Sequence, residues 1–145
     1  MNWALDAAKG SWSAGPSENS YEAESAAMSG GAKTASCSGC SGGSIVGYVG
    51  GSPGGTLKFS NISSSVDATT TIRIHHQNGD KSQRFANVVV NGKAYVTAFL
   101  PTSGSDVGTS VLTVPLKAGS GNTIEFQAYN GGWGPDIDRI QVPVS

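Results

Sequence analysis

Short stretches of alternating apolar and polar residues recur along most of this chain. In residues 70–75, Ile72 and Ile74 fall on one face, and Arg73 and His75 fall on the other. Residues 111–116 and 123–128 repeat the alternation. Because successive side chains of a strand point to opposite faces, a period of two predicts strands with one buried face. No segment carries a sustained helical period.

Turns rich in Gly, Asn and Ser separate ten candidate strands. These are residues 20–25, 32–36, 45–49, 56–60, 69–77, 85–90, 93–97, 110–116, 122–128 and 137–142. Asn91-Gly92 is the strongest hairpin signal, since Asn-Gly favours the positive φ angles of a type I′ turn. The pattern predicts an all-β fold, an antiparallel β-sandwich with jelly-roll topology. Residues 1–19 lack it and are expected to form a linker or lead-in to a single domain over 20–145.

Composition narrows the function classes. The 145 residues suffice for one domain with a core, and the net charge of −1 gives no electrostatic basis for binding nucleic acid or an anionic membrane. Only 13% of residues are charged and 21 are Gly, a surface typical of secreted β domains. No apolar run approaches the roughly 20 residues that cross a bilayer, and no signal-peptide pattern is recognisable.

The two cysteines, Cys37 and Cys40, lie in a Ser- and Gly-rich segment. A thioredoxin-like redox motif would need a strand before it and a helix after it, and the flanking residues form neither. A zinc site would need two further soft ligands, whereas the only histidines, His75 and His76, are adjacent. A disulfide that stiffens a surface loop in an oxidising compartment is favoured, with free thiols as the alternative.

Two acidic segments lie at opposite ends of this charge-poor chain. Glu22 and Glu24 are two residues apart, so on a strand both carboxylates would project from one face. Asp138 opens the last apolar segment. If the first and last strands pair, three carboxylates converge, and Ca²⁺ would relieve their repulsion. The alternative is three solvated carboxylates on strand edges.

Binding is favoured over catalysis. No Gly-x-Ser-x-Gly elbow stands between a strand and a helix, and the same-face pair Glu22 and Glu24 suits a cation better than acid–base chemistry on a sugar. Trp133 stands in a glycine-rich loop near Asn130, and exposed aromatic rings stack on the C–H faces of sugars. Further candidates at strand-to-loop transitions are Tyr48, Gln77 and Asn78. The alternatives are that Trp133 packs into the end of the sandwich and that Tyr48 belongs to the core. His76 shares the alternation of Ile72 and Ile74, so it is expected to point into the interior.

Several segments together resemble carbohydrate-binding modules of family 35, relatives of family 6. They are Tyr21-Glu22-Ala23-Glu24-Ser25-Ala26, Gly47-Tyr48-Val49-Gly50, Gln77-Asn78-Gly79, Val88-Val89-Val90-Asn91-Gly92 and Gly134-Pro135-Asp136-Ile137-Asp138-Arg139-Ile140. The resemblance runs from about residue 21 to residue 142. The opening Tyr-Glu-Ala-Glu with the closing Asp-x-Asp-Arg-Ile is its most specific part.

The resemblance implies a non-catalytic jelly-roll module, monomeric and tethered to a secreted plant-cell-wall glycoside hydrolase such as a β-mannanase. It implies a structural Ca²⁺ held by Glu22, Glu24 and Asp138, with backbone carbonyls of residues 41–44, and it gives Asn130 a sugar contact. Related modules often carry a Trp in the loop at 101–107, and this chain has none there. The expected ligand is β-mannan or galactomannan. Galactan, α-galactosides and uronic-acid sugars are alternatives, as is a calcium-stabilised protein-interaction domain.

Overall fold

A computed structural model describes residues 17–103 and 106–144 of the chain. The expected lead-in therefore falls mostly outside the described residues. Its last two positions, residues 18 and 19, already belong to the first strand, which starts at Glu18. The backbone N–H of Val144 donates to the carbonyl of Ser17, so the two ends of the described chain lie side by side.

Eleven strands form two antiparallel sheets in the described part of the chain. Sheet A contains β1 (Glu18–Glu22), β3 (Lys33–Ser36), β4 (Ser44–Gly47), β6 (Ala68–Gln77), β9 (Gly108–Leu116) and β11 (Asp136–Pro143). Sheet B contains β2 (Ala27–Ser29), β5 (Thr56–Ser64), β7 (Arg84–Val90), β8 (Lys93–Phe99) and β10 (Gly119–Ala128). The order is β3-β4-β11-β6-β9 in sheet A, with β1 also paired to β11, and β2-β5-β10-β7-β8 in sheet B. This is the predicted sandwich of the jelly-roll kind.

The alternating positions produce the core as the sequence pattern predicts. Ile72 and Ile74 of β6 in sheet A and Ile124 and Phe126 of β10 in sheet B are all fully buried in the same core cluster. The Asn91-Gly92 hairpin between β7 and β8 is confirmed, because both residues have positive φ. The apolar residues between the sheets form one continuous cluster, so the loops at the ends are left to carry function.

The opening segment departs from the expected strand over residues 20–25. The strand β1 stops at Glu22, and residues Ala23–Ser25 form a 3-10 turn that is closed by the hydrogen bond from the N–H of Ala26 to the carbonyl of Ala23, which is fully buried. Glu22 and Glu24 are therefore not on one face of a strand. The short strand β2, which follows this turn, was not predicted.

Cys37 and Cys40 form a disulfide in the loop between β3 and β4. The two sulfurs and Ile45 make a small apolar cluster of their own, apart from the main core. The next three residues, Ser41–Gly43, form a second 3-10 turn, and the backbone N–H of Cys37 donates to the carbonyl of Gly43 across it. The disulfide thus fixes the loop that leads into β4. No helix in the described residues has the length and apolar character needed to cross a bilayer.

Candidate functional site

One end of the sandwich carries an open cavity of about 600 Å³, which we call the loop-end cavity. Its volume falls within the roughly 300–1,000 Å³ of small-molecule sites. It lies where β4 and β6 end and where β7 and β11 begin, and its lining residues are Ala35, Gly47, Tyr48, Gln77, Gly79, Arg84, Trp133, Gly134 and Asp136. Three of the five predicted sugar-binding residues are among them: Tyr48, Gln77 and Trp133.

Two exposed aromatic rings, Tyr48 and Trp133, form what we call the aromatic corner of this cavity. Their centroids are 6.0 Å apart and their planes meet at 76°. Tyr48 is 56% exposed and Trp133 is 45% exposed, so Tyr48 is not core and Trp133 does not plug the sandwich. Two rings at nearly a right angle offer one flat face for stacking and a second wall beside it.

The backbone around Gly51 holds Trp133 in this position. Gly50 and Trp133 form an isolated β-bridge, and the N–H of Gly51 donates to the carbonyl of Gly132 over 2.8 Å. A Cβ added at Gly51 would lie 2.7–2.8 Å from three atoms of the indole ring. The ring therefore rests directly on Gly51, and the exposed part of Trp133 is its other face and its edges.

Charged groups that were not predicted as site residues complete the cavity. Asp136 opens β11 opposite Gln77, and its Oδ1 would lie only 3.2 Å from a Cβ on Gly47. Burial raises the pKa of Asp136, and the nearby Arg84 guanidinium acts in the opposite direction. Arg84 donates from Nε to Asp80 over 2.8 Å and from Nη1 to the carbonyl of Gly134 over 3.0 Å.

Sequence reasoning missed Arg84 because it lies far from Trp133 in the chain. Asp136 did carry a signal, since it follows Trp133 by three residues in the Gly-Pro-Asp segment. Together these groups give the cavity a fixed hydrogen-bond donor and an acceptor beside an apolar wall. That combination binds a small polar molecule that has one apolar face.

Asn78 and Asn130 do not line the loop-end cavity. Asn78 is fully buried; its amide donates to the carbonyls of Ser82 and Phe99, and its Oδ1 accepts from the N–H of Asp80. The side chain of Asn78 is therefore engaged inside the protein, where its hydrogen bonds shape the loop that presents Arg84. Asn130 is exposed and has φ +52 in the turn between β10 and Trp133. That positive φ explains an Asn at this position by turn geometry.

The predicted carboxylates Glu22, Glu24 and Asp138 form an acidic cluster against the turn that follows the disulfide. The N–H of Ser41 donates to Asp138 Oδ2 over 3.2 Å, and its hydroxyl donates to Glu22 Oε2 over 2.8 Å. A Cβ on Gly42 would lie 2.6 Å from Glu24 Oε2. The turn at Ser41–Gly43 therefore faces all three carboxylates.

Each member of the acidic cluster keeps one oxygen that is buried without a hydrogen-bond partner in the described chain: Glu22 Oε1, Glu24 Oε1 and Asp138 Oδ1. Burial first, and then the charges of Glu22 and Asp138, raise the pKa of Glu24. Burial likewise raises the pKa of Asp138, despite the opposing N–H of Ser41. Buried, unpartnered carboxylate oxygens are costly. The positive charge of Arg139 opposes the rise in the pKa of Asp138, but the salt bridges of the described residues do not include the cluster.

The three unpartnered carboxylate oxygens of the acidic cluster fit a hard cation, because carboxylate oxygens are preferred ligands of Ca²⁺. The nearby Arg139 does not fill that role by hydrogen bonding, since its Nη1 donates to Ser20. Within residues 17–103 and 106–144, no three His, Cys, Asp or Glu side chains are already drawn together as a finished metal site. The cluster therefore fits Ca²⁺ in the type and the burial of its oxygen atoms, but these atoms are not arranged as a complete coordination shell.

Comparison with known proteins adds a family assignment to this geometry. A family model described as carbohydrate binding module (family 35) matches residues 19–144. No curated protein sequence matches the chain.

Similar folds occur in solved structures. An exo-beta-1,3-galactanase from Phanerochaete chrysosporium, solved with beta-1,3-galactotriose, is 32% identical with a TM-score of 0.81; the match covers 87% of this chain and 29% of the galactanase. A family 35 carbohydrate binding module from Clostridium thermocellum is 30% identical with a TM-score of 0.80, over 87% of this chain and 98% of the module. A module from Paenibacillus barcinonensis, 22% identical with a TM-score of 0.76 over 88% of this chain and 99% of the module, shares the fold.

Proposed function

Because the chain belongs to carbohydrate-binding module family 35, we propose that its loop-end cavity binds a galactose-containing plant-cell-wall polysaccharide. Membership makes it a non-catalytic carbohydrate-binding module. The observation that carries the proposal is the aromatic corner, where Tyr48 and Trp133 stand exposed beside Arg84 and Asp136.

A sugar can contact both the aromatic wall and the polar wall of this cavity. One face of a pyranose is lined by C–H groups and stacks on the open face of Trp133, while Tyr48 contacts the ring edge. Hydroxyls on the rim donate to the carboxylate of Asp136 and accept from Arg84. Because Asp80 and Gly134 already hold the guanidinium, little side-chain entropy is lost when the sugar arrives.

The proposed sugar differs in order from the expectation drawn from sequence, which placed β-mannan or galactomannan first. The 32% identity to an exo-beta-1,3-galactanase supports galactose-containing chains as the leading ligand, with β-mannan second. The axial hydroxyl of galactose lies on one face of the sugar ring and leaves a patch of C–H groups on the other face. That patch suits stacking on one aromatic ring, here Trp133. Uronic acids are disfavoured, because Arg84 already pairs with Asp80 and a sugar carboxylate would meet Asp136.

We also propose that the module serves a larger secreted enzyme. This chain spans about three-tenths of the length of the galactanase it matches. Tethering a catalytic domain to a polysaccharide raises its effective concentration there without any new catalytic contact. The disulfide between Cys37 and Cys40 supports an oxidising, extracellular setting. The module is proposed to be monomeric.

The acidic cluster is proposed to hold a structural Ca²⁺. Glu22, Glu24 and Asp138 would supply carboxylate oxygens. Backbone carbonyls of the adjoining Ser41–Gly43 turn, whose Ser41 already contacts the cluster, would complete the ligand set. The ion would neutralise the repulsion between these groups and tie the loop to β1 and β11. Calorimetric titration of the metal-free chain with Ca²⁺ tests this, and an absence of binding heat and of any stability change would contradict it.

Affinity electrophoresis in gels containing β-1,3-galactan, galactomannan or β-mannan tests the sugar site. Trp133→Ala should abolish most of the retardation while its melting temperature stays close to that of the wild type, because Trp133 is 45% exposed and lies outside the core cluster. Val111→Ala is the matched control, since Val111 is an exposed apolar residue on β9 and does not line the cavity. Unchanged retardation of Trp133→Ala, or none for the wild type in any gel, would overturn the proposal.

A further inference from the structure

A second, smaller concavity adjoins the loop-end cavity. It has a volume of about 270 Å³ and shares Trp133 and Arg84 with the larger cavity. Its remaining walls include Phe85, Tyr129, Gln83 and Asp80. The two concavities are therefore neighbours along one surface, and Trp133 and Arg84 form their common boundary.

The aromatic wall of this second concavity is not explained by the core. In β7 the inward positions are Ala86, Val88 and Val90, so Phe85 points outward, and it remains 40% exposed. Tyr129 follows the last residue of β10, next to the pair formed by Ala128 and Ala86. The rings of Phe85 and Tyr129 lie 6.0 Å apart with a 49° tilt. Asp80 and Gln83 also line this concavity and add polar groups to its aromatic wall.

We propose that Phe85 and Tyr129 form a second sugar subsite, so that the module holds at least two consecutive residues of one polysaccharide chain. The inference rests on the proposed function of the loop-end cavity. The first sugar occupies the aromatic corner, and the next one lies over Phe85 on the other side of the boundary.

Arg84 suits the junction between the two subsites. A guanidinium has five N–H donors. Among the described residues, Asp80 and Gly134 accept from two of them, so the group can still donate to an oxygen near the glycosidic linkage. Both bonds also hold the guanidinium in place before a ligand arrives.

The second subsite predicts that affinity depends on chain length. Stacking on one further aromatic face should strengthen binding about two- to tenfold from galactose to β-1,3-galactobiose or galactotriose. Phe85→Ala should remove this gain and leave the affinity for galactose unchanged. Phe85→Leu keeps an apolar side chain of similar size without the flat face, and should behave in the same way if the alanine variant folds poorly.

The experiment is calorimetric titration of wild type, Phe85→Ala, Phe85→Leu and Val96→Ala with galactose, β-1,3-galactobiose and β-1,3-galactotriose, and with mannose and mannotriose in parallel. Val96 is the control because it is exposed on the same outward face of sheet B, in β8, but does not line the concavity.

The subsite is supported if both Phe85 variants, but not Val96→Ala, lose the gain in affinity from galactose to galactotriose. Equal affinity of the wild type for galactose and galactotriose, or unchanged galactotriose binding by the Phe85 variants, would overturn the subsite and leave the loop-end cavity standing. If the wild type binds none of these sugars, the proposed function and the subsite both fail.

Discussion

Gly51 is the residue whose substitution tests most directly how the fold positions Trp133. The indole ring rests on its Cα, and an added Cβ would lie 2.7–2.8 Å from three ring atoms. Ordinary carbon contacts are about 3.5–4.0 Å. In Gly51→Ala the ring must therefore retreat by about 1 Å, away from the surface on which it is supported.

The substitution has two separate effects, one on folding stability and one on sugar binding, and each has its own physical cause. Gly51 has φ +72, so an alanine there costs about 1–2 kcal/mol of folding stability through backbone strain. The effect on binding comes from the ring. Trp133 is 45% exposed; if a sugar covers half of the exposed part of a residue of roughly 250 Å², about 25 cal/mol per Å² gives roughly 1.4 kcal/mol, or about tenfold in Kd.

Gly54→Ala separates the two effects. Gly54 belongs to the same loop and has φ +75, but an added Cβ would meet nothing within 4 Å. Both variants should lose stability in thermal denaturation through backbone strain, and Gly51→Ala should lose at least as much as Gly54→Ala because it also displaces the indole ring. Only Gly51→Ala should weaken binding, up to about tenfold in titrations with β-1,3-galactotriose. Equal sugar affinity of the two variants would refute the view that Gly51 positions the stacking platform.

The acidic cluster leads to two further predictions. With Ca²⁺ at about 100 times its Kd, binding adds about 2.7 kcal/mol to the free energy of unfolding, so EDTA should lower the melting temperature by roughly 5–10 °C. The melting temperature of Glu24→Gln should respond to EDTA much less. An unchanged wild-type melting temperature would contradict a bound ion. In EDTA, stability should fall as the pH rises from about 4 towards 7, because burial raises the pKa of Glu24 and of Asp138 above their ordinary values of 4.5 and 3.8. Such groups bind protons more tightly in the folded chain, so their contribution to folding stability is present below the ordinary pKa and is lost as the pH rises past the pKa of the folded chain. Denaturation at several pH values should show a shallower fall in stability with pH for Asp138→Asn than for the wild type. An equal dependence on pH in the two proteins would argue against this cause.

Much of the fold was predictable because its signals are local. The alternation in β6, β9 and β10 reports which side chains face the core, and Asn91-Gly92 specifies its hairpin by backbone preference alone. The opening strand was less predictable. The alternation of Tyr21, Ala23 and Ser25 resembles a strand, but the chain leaves the sheet at Ala23 in a 3-10 turn closed by a local backbone hydrogen bond, which the alternation does not reveal.

For the candidate site, the sequence by itself determined the residue types: flat aromatic residues in glycine-rich loops, and carboxylates at both ends of the chain. Only the tertiary structure decided which of them meet. A bulge in β11 between Ile137 and Arg139 breaks the period of two, so Asp136 lines the loop-end cavity while Asp138 turns to the acidic cluster.

The same reason explains the residues that sequence reasoning misplaced or missed. Asn78 looked available beside a loop, yet its amide is fully used inside the protein. Arg84 gave no signal, because its carbonyl partner at Gly134 lies 50 residues away. Alternation and turn preference act between near neighbours, whereas pairing across sheets is set by the packing of the whole core, and that packing decides which surface residues converge.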